Sequence, residues 1–239
     1  MAEQFFIPGE RRAEKVNQLF STVARRYDFM NDLQSFGLHR YWKRKLIQIS
    51  HVQPGDYALD VCCGTGDLAL GLARRGAQTV GLDFTDDMLR IAESKTLKAN
   101  LKSRLSFVRG DAEALQFPDA SFNVVTVGYG LRNLKSWETG LREMQRVAKP
   151  GGRLLVLEFG KPSNPIWRTL YFGYLRLFVP LLGQFFCRNA GAYAYILESL
   201  KHYPSQDEVA AKLWDLGLKD VRIINLLRGV MSIHYALKS

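Results

Sequence analysis

The sequence predicts a doubly wound α/β fold: a mostly parallel, seven-stranded sheet with helices on both faces, a helical cap and a C-terminal antiparallel hairpin. Three observations predict it. Short apolar runs alternate with helical runs from residue 57 to residue 158. Two further strand-like runs, joined by a tight turn at Arg228 and Gly229, end the chain. The 239 residues are 47% hydrophobic and 23% charged, which is typical of a globular protein and excludes a disordered chain.

Each element follows from its own pattern. The spacing of Val16, Leu19, Phe20, Val23 and Tyr27 predicts one amphipathic helix over residues 14–34. Further helices are predicted at residues 39–49, 67–75, 86–100, 136–148, 191–200 and 205–216. Strands are predicted at residues 57–62, 79–83, 105–109, 123–128, 153–158, 219–226 and 230–237. The Pro-Gly-Gly sequence predicts a turn over residues 149–152.

We expect a single domain over residues 1–239 with four parts. These are an N-terminal helical cap, a ligand-binding βαβ core, an aromatic lid and a C-terminal helix with the hairpin, at residues 1–50, 51–160, 161–203 and 204–239. Three cysteines, no secretory signal and no apolar run long enough to span a bilayer predict a cytoplasmic protein.

The net charge of +10 is concentrated in the two flanks of the chain. Residues 1–50 contain 9 basic and 5 acidic residues, residues 51–150 contain 13 and 12, and residues 151–239 contain 11 and 6. Basic flanks around a nearly neutral centre indicate contact with an anionic surface, either lipid or nucleic acid.

The loop after the first predicted strand is the expected ligand site, because ligands of doubly wound sheets bind at the carboxyl ends of the strands. Gly64 and Gly66 allow a tight turn and a close approach of the ligand. Asp60 and Asp67 flank these glycines, which disfavours a pyrophosphate and suits a ligand that carries positive charges. S-adenosylmethionine (SAM), with its sulfonium and ammonium groups, fits this pattern better than NAD does.

Acidic residues also lie at the ends of the next two strands. Asp83 lies where an acid binds the ribose hydroxyls of an adenosine ligand, and Asp111 is placed to accept from the adenine amino group. Either one can instead cap a helix. Together with Asp60, three acids at three consecutive strand ends favour SAM as the cofactor.

The GTGD motif of this loop, at 64–67, is accompanied by motifs elsewhere in the chain. These are YDFMNDL at 27–33, SFGLHR at 35–40, GLRN at 130–133 and KPGGRLLVLEF at 149–159. With them the chain resembles the C-methyltransferases of menaquinone, ubiquinone and phylloquinone biosynthesis. The resemblance implies a class I, Rossmann-like methyltransferase fold in which Thr65, Asp83, Asp111 and Ala112 contact SAM. Gly128 stands where the family often has a serine that holds the methionine part of the cofactor, so it belongs to the same expected site.

Methylation of a ring carbon requires an electron-rich ring, so we expect a base or a cation near the sulfonium. Arg132 is predicted to stabilise a quinolate and Asn133 to orient the ring; a salt bridge and a turn are the alternatives. His202 and His39 are candidate general bases, and Tyr27 is a candidate hydrogen-bonding partner of a quinol oxygen, although each residue also suits a structural role.

The aromatic run over residues 167–186 is interpreted as a lid and as the opening through which a polyprenyl tail enters from a bilayer. Arg168, Arg176 and Arg188 are expected near lipid headgroups. The expected partners are a polyprenylated quinol and an anionic membrane surface, with no nucleic acid. An apolar lid also leaves a homodimer open.

The preferred reaction is C-methylation of demethylmenaquinol, with demethylphylloquinol and the benzoquinol precursor of ubiquinone as alternatives. A nucleic-acid methyltransferase is disfavoured because residues 128–133 (GYGLRN) lack an N-P-P-Y or P-C motif. A SAM-binding protein without activity is the second alternative. The adjacent Cys62 and Cys63 have no further ligands at metal spacing, so no metal site is expected.

Overall fold

The computed structural model describes residues 10–187 and 190–239. Its single sheet has seven strands in the order β3-β2-β1-β4-β5-β7-β6, with β7 antiparallel to both of its neighbours. The strands are β1 Tyr57–Val61, β2 Gln78–Asp83, β3 Leu105–Arg109, β4 Phe122–Gly128, β5 Ala148–Phe159, β6 Lys219–Leu226 and β7 Met231–Leu237. The predicted fold class and the C-terminal antiparallel hairpin are confirmed.

Ten α-helices are present in the described part of the chain. They are α1 Glu10–Val23, α2 Tyr27–Ser35, α3 Leu38–Ile49, α4 Asp67–Arg74, α5 Asp86–Lys98, α6 Trp137–Val147, α7 Pro165–Gly173, α8 Val179–Cys187, α9 Ala190–His202 and α10 Gln206–Asp215. No described helix has both the length and the apolar character needed to cross a membrane.

The sheet separates two hydrophobic cores, as the alternation of side chains along a strand requires. In β5, Leu155 and Leu157 pack into one core with Leu46 of α3, whereas Leu154 and Val156 pack into the other. All four of these strand residues are almost fully buried. Burial on both faces explains why the strands are continuous apolar runs in the sequence.

The N-terminal region is where the structure differs most from the sequence pattern. The predicted continuous helix over residues 14–34 is wrong, because a 3₁₀ turn at Ala24–Arg26 separates α1 from α2. The apolar spacing nevertheless continues across the turn, with Val23 and Met30 both buried in the same core. Periodicity alone therefore gives no sign of the break.

Two other regions refine the sequence prediction. The predicted turn over residues 149–152 lies inside β5, where the pairing with β4 shifts between Phe122 and Val124. The aromatic region forms α7 and α8, which are joined by a π-helical segment at Tyr174–Phe178. Asn164 caps α7 by accepting a hydrogen bond from the backbone N–H of Trp167.

Candidate active site

Two cavities adjoin at the carboxyl ends of the strands. The smaller has a volume of about 110 Å³ and lies beside the loops that follow β1, β2, β3 and β4. The sheet order places β1 between β2 and β4, and ligands of doubly wound sheets bind at such a switch point. Val16, Asn17 and Phe20 of α1 also line this cavity, so the helical cap covers it.

The glycine-rich loop makes a tight connection from β1 to α4. Cys62, Gly64 and Gly66 all have positive φ values, of 53°, 54° and 82°. A Cβ atom on Gly66 would lie 3.0 Å from Cβ of Ala92, so the loop packs closely against α5. This close packing fixes the backbone of Gly64 at the edge of the smaller cavity.

Five of the eight predicted cofactor residues line the smaller cavity: Gly64, Asp83, Asp111, Ala112 and Gly128. The Asp83 carboxylate accepts backbone N–H groups of Gly64 at 2.8 Å and of Thr85 at 2.9 Å. Burial raises the pKa of Asp83, while these N–H groups oppose that effect. A Cβ on Gly128 would lie 2.7 Å from a terminal methyl group of Leu68, so a larger residue here would require this flexible side chain to shift.

The other three predicted cofactor residues, Asp60, Thr65 and Gly66, do not line this cavity. Asp60 is buried, where its carboxylate accepts hydrogen bonds from the Thr126 hydroxyl at 2.8 Å and the Ala69 N–H at 3.0 Å. Burial raises the pKa of Asp60 to about 7. Asp60 thus ties β1 to β4 and α4, and its predicted contact with a cationic ligand has no support in this geometry.

A network of charged groups joins the cap to the glycine loop. Lys95 of α5 pairs with Asp28 at 2.6 Å and with Asp67 at 2.8 Å, and Lys43 pairs with Asp67 at 2.8 Å. The Thr65 hydroxyl donates to Asp28 at 2.6 Å. Although burial opposes ionisation, the two lysines hold the pKa of Asp67 well below its usual range. Asp67 therefore serves the protein's own cations, contrary to its predicted role beside a charged ligand.

The larger cavity has a volume of about 370 Å³, which is within the range of small-molecule sites. It lies between the cap and the lid and is lined mostly by aromatic and aliphatic side chains, including Trp42, Trp167 and Leu175. Phe20, Tyr27 and Tyr129 line both cavities. Tyr27 has its ring edge-to-face with Phe20 at 6.1 Å, so the predicted catalytic tyrosine stands where the cavities adjoin.

Arg132 lines the larger cavity from a buried position. Its guanidinium donates to Glu158 at 2.7 Å and to the carbonyl of Tyr129 at 2.5 Å, and it lies 4.7 Å from the Phe159 ring centre. Burial opposes the charge, but Glu158 raises the pKa of Arg132, so the group stays cationic. Arg132 therefore forms the salt bridge that was the alternative to a catalytic role, and it also lies on the wall of the larger cavity.

Asn133 lines the smaller cavity. Its amide donates to the Tyr129 carbonyl at 3.2 Å and accepts from the Tyr195 hydroxyl at 3.2 Å. Asn133 and Arg132 thus hold the same carbonyl from the 3₁₀ turn that follows β4.

The two candidate histidines have opposite surroundings. His39 is 3% exposed and lines the larger cavity, with Nε2 at 2.8 Å from Asp32. Its Nδ1 has no hydrogen-bond partner within residues 10–187 and 190–239. Burial, followed by Lys43, lowers its pKa, so His39 is neutral near pH 7. The His202 side chain is 56% exposed beside Glu198 and lines neither cavity. Its location gives no support to a role as general base.

The sequence did not single out Tyr129, although it lies between two glycines in the quoted GYGLRN segment. It has a φ of 63°, which is rare for a bulky residue and often marks a functional site. Tyr171 was recognised only as a lid residue, yet its hydroxyl is buried and it lines the larger cavity.

Comparison with known proteins identifies the family. A sequence model described as the ubiE/COQ5 methyltransferase family matches residues 9–238. The chain belongs to this family. Relatives named ubiquinone/menaquinone biosynthesis C-methyltransferase UbiE, from Ectopseudomonas mendocina and Azotobacter vinelandii, are 42% and 40% identical over 97% of this chain and 92% and 93% of their own lengths. A SAM-dependent methyltransferase structure from Aquifex aeolicus shares the fold, with a TM-score of 0.60, 19% identity and coverage of 82% of this chain and 89% of its own.

As a member of the ubiE/COQ5 family, the protein is a SAM-dependent C-methyltransferase. The smaller cavity fits this cofactor, because its acceptors match the cofactor's ammonium, amino and hydroxyl donors. Asp83 and Asp111 line its wall, and the buried Asn17 Oδ1 on the same wall has no hydrogen-bond partner among the residues that the structure describes.

The described part of the chain contains no group of three or more His, Cys, Asp and Glu side chains that could hold a metal ion. Burial raises the pKa of the Cys62 and Cys63 thiols well above the usual value, so both stay protonated. Neither is therefore a ready nucleophile or metal ligand.

Proposed function

We propose that the protein methylates a ring carbon of demethylmenaquinol. The observation that carries the proposal is the contact between the two cavities, since Phe20, Tyr27 and Tyr129 line the cofactor cavity and also the larger apolar one. A ring in the larger cavity can thereby approach the methyl donor. SAM, when bound, supplies a methyl group on its sulfonium, which the ring carbon takes as the sulfur–methyl bond breaks, and the ring then loses one proton.

The choice of a naphthoquinol rests on size and chemistry. A cavity of about 370 Å³ with tryptophan and tyrosine walls suits a fused, apolar bicyclic ring. The names of the relatives refer to both ubiquinone and menaquinone, so a benzoquinol is the alternative substrate.

Arg132 stabilises the negative charge that the ring oxygen carries once its hydroxyl proton has left. A buried cation on an apolar wall acts strongly on a nearby anion because little solvent screens it. Glu158 holds this guanidinium in place at 2.7 Å. Asn133 supports the same arrangement from the cofactor side, and Tyr27 contacts the ring where the cavities adjoin.

His39 removes the hydroxyl proton of the quinol. Hydrogen bonds from Arg40 lower the pKa of Asp32 to about 2, so this carboxylate is ionised and accepts the Nε2 hydrogen of His39. Nδ1 is then the unprotonated nitrogen, and it is the ring nitrogen without a partner. A neutral imidazole on the cavity wall supplies the acceptor that quinolate formation requires.

The polyprenyl tail enters from an anionic membrane surface. Trp167, Leu170 and Leu227 line the larger cavity, and Leu170 and Leu227 are also at least half exposed. Nearby in the chain, Leu177 and Phe185 are 67% and 80% exposed. Arg168 and Arg176 of the same lid are exposed and can contact headgroups, whereas Arg188 lies outside the described residues.

The test is a comparison of substrates. Purified protein is incubated with SAM and, separately, with demethylmenaquinol, demethylphylloquinol and the benzoquinol precursor, under reducing conditions. We expect each active quinol to gain one methyl group by mass, with the highest kcat/KM for demethylmenaquinol. A higher kcat/KM for the benzoquinol would reject the naphthoquinol assignment, and methylation of none of the three would reject the proposed function.

A further inference from the structure

Two tyrosine hydroxyls are buried in the wall of the larger cavity without a hydrogen-bond partner among the residues that the structure describes. These are the hydroxyls of Tyr129 and Tyr171. Buried polar groups are nearly always paired, so two unpaired ones on one apolar cavity require an explanation. A ligand with polar groups at matching positions supplies it.

Tyr129 is held rigidly in its unusual backbone conformation. Its N–H donates to the carbonyl of Leu157 at 2.8 Å, and its own carbonyl accepts from Arg132 and Asn133 at 2.5 and 3.2 Å. The ring packs at 5.6 Å from that of Phe159. These contacts fix the backbone and the ring, so the hydroxyl stays at the cavity wall.

Tyr171 projects from α7 of the lid and is 7% exposed. Its ring lies 5.6 Å from that of Phe172. Tyr129, Tyr171 and Arg132 all line the larger cavity, so the two phenols share its wall with the buried cation. Burial raises the pKa of each phenol, which keeps both protonated and able to donate.

We propose that Tyr129 and Tyr171 bind the two ring oxygens of the quinol, an inference that rests on the proposed function. A quinol carries one oxygen at each end of the ring, and the carbon to be methylated is next to one of them. Tyr129 lines both cavities and donates to that nearer oxygen, whereas Tyr171 lines only the larger cavity and donates to the opposite one. The pair fixes which ring carbon faces the methyl donor.

The arrangement predicts different kinetic effects at the two positions. The oxygen next to the reacting carbon becomes negative when its proton leaves, a step that methylation of the ring requires, so its donor acts mainly on kcat. The donor to the opposite oxygen acts mainly on KM. Leaving a buried ring oxygen without its partner should lower kcat/KM about ten- to hundredfold.

The experiment compares the wild type with Tyr129→Phe and Tyr171→Phe, and uses Tyr203→Phe as the matched control. The Tyr203 hydroxyl is also buried and unpaired, but Tyr203 lines neither of the two cavities. We expect Tyr129→Phe to lose kcat and Tyr171→Phe to raise KM for the quinol. The dissociation constant for SAM and the thermal unfolding temperature should stay close to those of Tyr203→Phe, which should keep wild-type turnover.

A binding measurement separates a polar contact from a change in packing. The wild type should bind the quinol about tenfold or more tightly than an analogue with hydrogen in place of both ring hydroxyls, and each cavity variant should reduce this preference. If the wild type methylates the quinol while both variants keep its kinetics and this preference, the inference is overturned. If the wild type methylates none of the quinols, the proposed function fails first and the inference falls with it.

Discussion

At the scale of single residues, the candidate site contains a buried ion pair whose cation has a proposed role in the reaction. Arg132 and Glu158 are paired at 2.7 Å with side chains only 6% and 0% exposed. Breaking such a pair leaves an uncompensated charge in the interior. Loss of activity in Arg132→Ala would therefore not by itself show a role in the reaction.

A pair of variants separates the two effects. We expect Arg132→Ala to lower the free energy of unfolding by about 3–5 kcal/mol, because Glu158 loses its partner. The double variant Arg132→Ala/Glu158→Gln should recover much of this stability and remain at least a hundredfold less active, since the cation is still missing. Urea unfolding and turnover measure the two quantities. Recovery of turnover together with stability would restrict Arg132 to a structural role.

His39 gives a pH dependence with a definite sign. A general base must be unprotonated, and burial lowers its pKa from the ordinary value of 6.5. We therefore expect kcat/KM to hold down to pH 6.5 and to fall only at lower pH, where the lowered pKa is reached and protonated His39 cannot accept the quinol proton. His39→Gln should lower kcat by about 10²–10⁴ and abolish this acidic limb.

His202→Gln is the matched control, because His202 is exposed and lines neither cavity. Its rate and pH profile should equal those of the wild type. An acidic limb that persists unchanged in His39→Gln would exclude this residue as the base.

At the scale of elements, α1 and α2 of the cap line the smaller cavity, and we expect them to control access of the cofactor. The smaller cavity, of about 110 Å³, is below the size usual for a ligand site. Residues of α1 form part of its wall, so we expect the cap to shift when SAM enters. The contacts of Lys95 with Asp28 and Asp67 join α2 to α4 and α5, and they are the bonds that such a shift must change.

Lys95→Met tests this connection. We expect it to destabilise the cap by about 1–2 kcal/mol, seen as faster hydrogen exchange in α2 and a weaker affinity for SAM. Arg90→Met is the control on the same helix, because the Arg90 side chain is 72% exposed and pairs only locally with Asp87. Equal exchange rates in α2 for the two variants would contradict a role for Lys95 in holding the cap.

The same scale shows what the sequence could predict. Buried parallel strands are continuous apolar runs, Asp83 ends β2 and Asp111 follows β3, so the sheet and part of the smaller cavity were predictable from local pattern. The break at Ala24–Arg26 was not, since the apolar spacing continues through it. Asp60 also lies near the end of a strand, but its carboxylate accepts hydrogen bonds from Thr126 and Ala69 inside the protein.

Contacts between distant parts of the chain left no local signal. His39 and His202 were equivalent candidates in the sequence, and only packing distinguishes the buried one from the exposed one. The larger cavity brings together Tyr129, which follows β4, and Tyr171 of the lid. Their hydroxyls share one cavity only because the lid packs over the strand ends in the folded chain.

At the scale of the whole molecule, the basic flanks of the chain contribute the cap and the lid that enclose the larger cavity. This arrangement favours an anionic surface as the source of a substrate with a lipid tail. We expect the protein to float with anionic vesicles and much less with neutral ones, with binding that weakens as salt is added.

Replacing Leu177 and Phe185 by serine should weaken vesicle binding at least tenfold. The reason is that burial of each apolar side chain in the bilayer contributes about 1.5–3 kcal/mol to the free energy of binding. Trp214→Ser is the control, since Trp214 of α10 is 54% exposed and lies outside the lid. If the Leu177 and Phe185 variants floated as well as Trp214→Ser, or if the wild type did not prefer anionic vesicles, the proposed membrane contact would be rejected. A stable dimer that buries the lid would also reject it.

The most direct test is transfer of a labelled methyl group from SAM to demethylmenaquinol, followed by oxidation of the product. We expect a labelled quinol that oxidises reversibly to the quinone and keeps the label, because the methyl group is on a ring carbon. A labelled ether that no longer forms a quinone, or an unlabelled quinol, would contradict C-methylation at the contact between the two cavities.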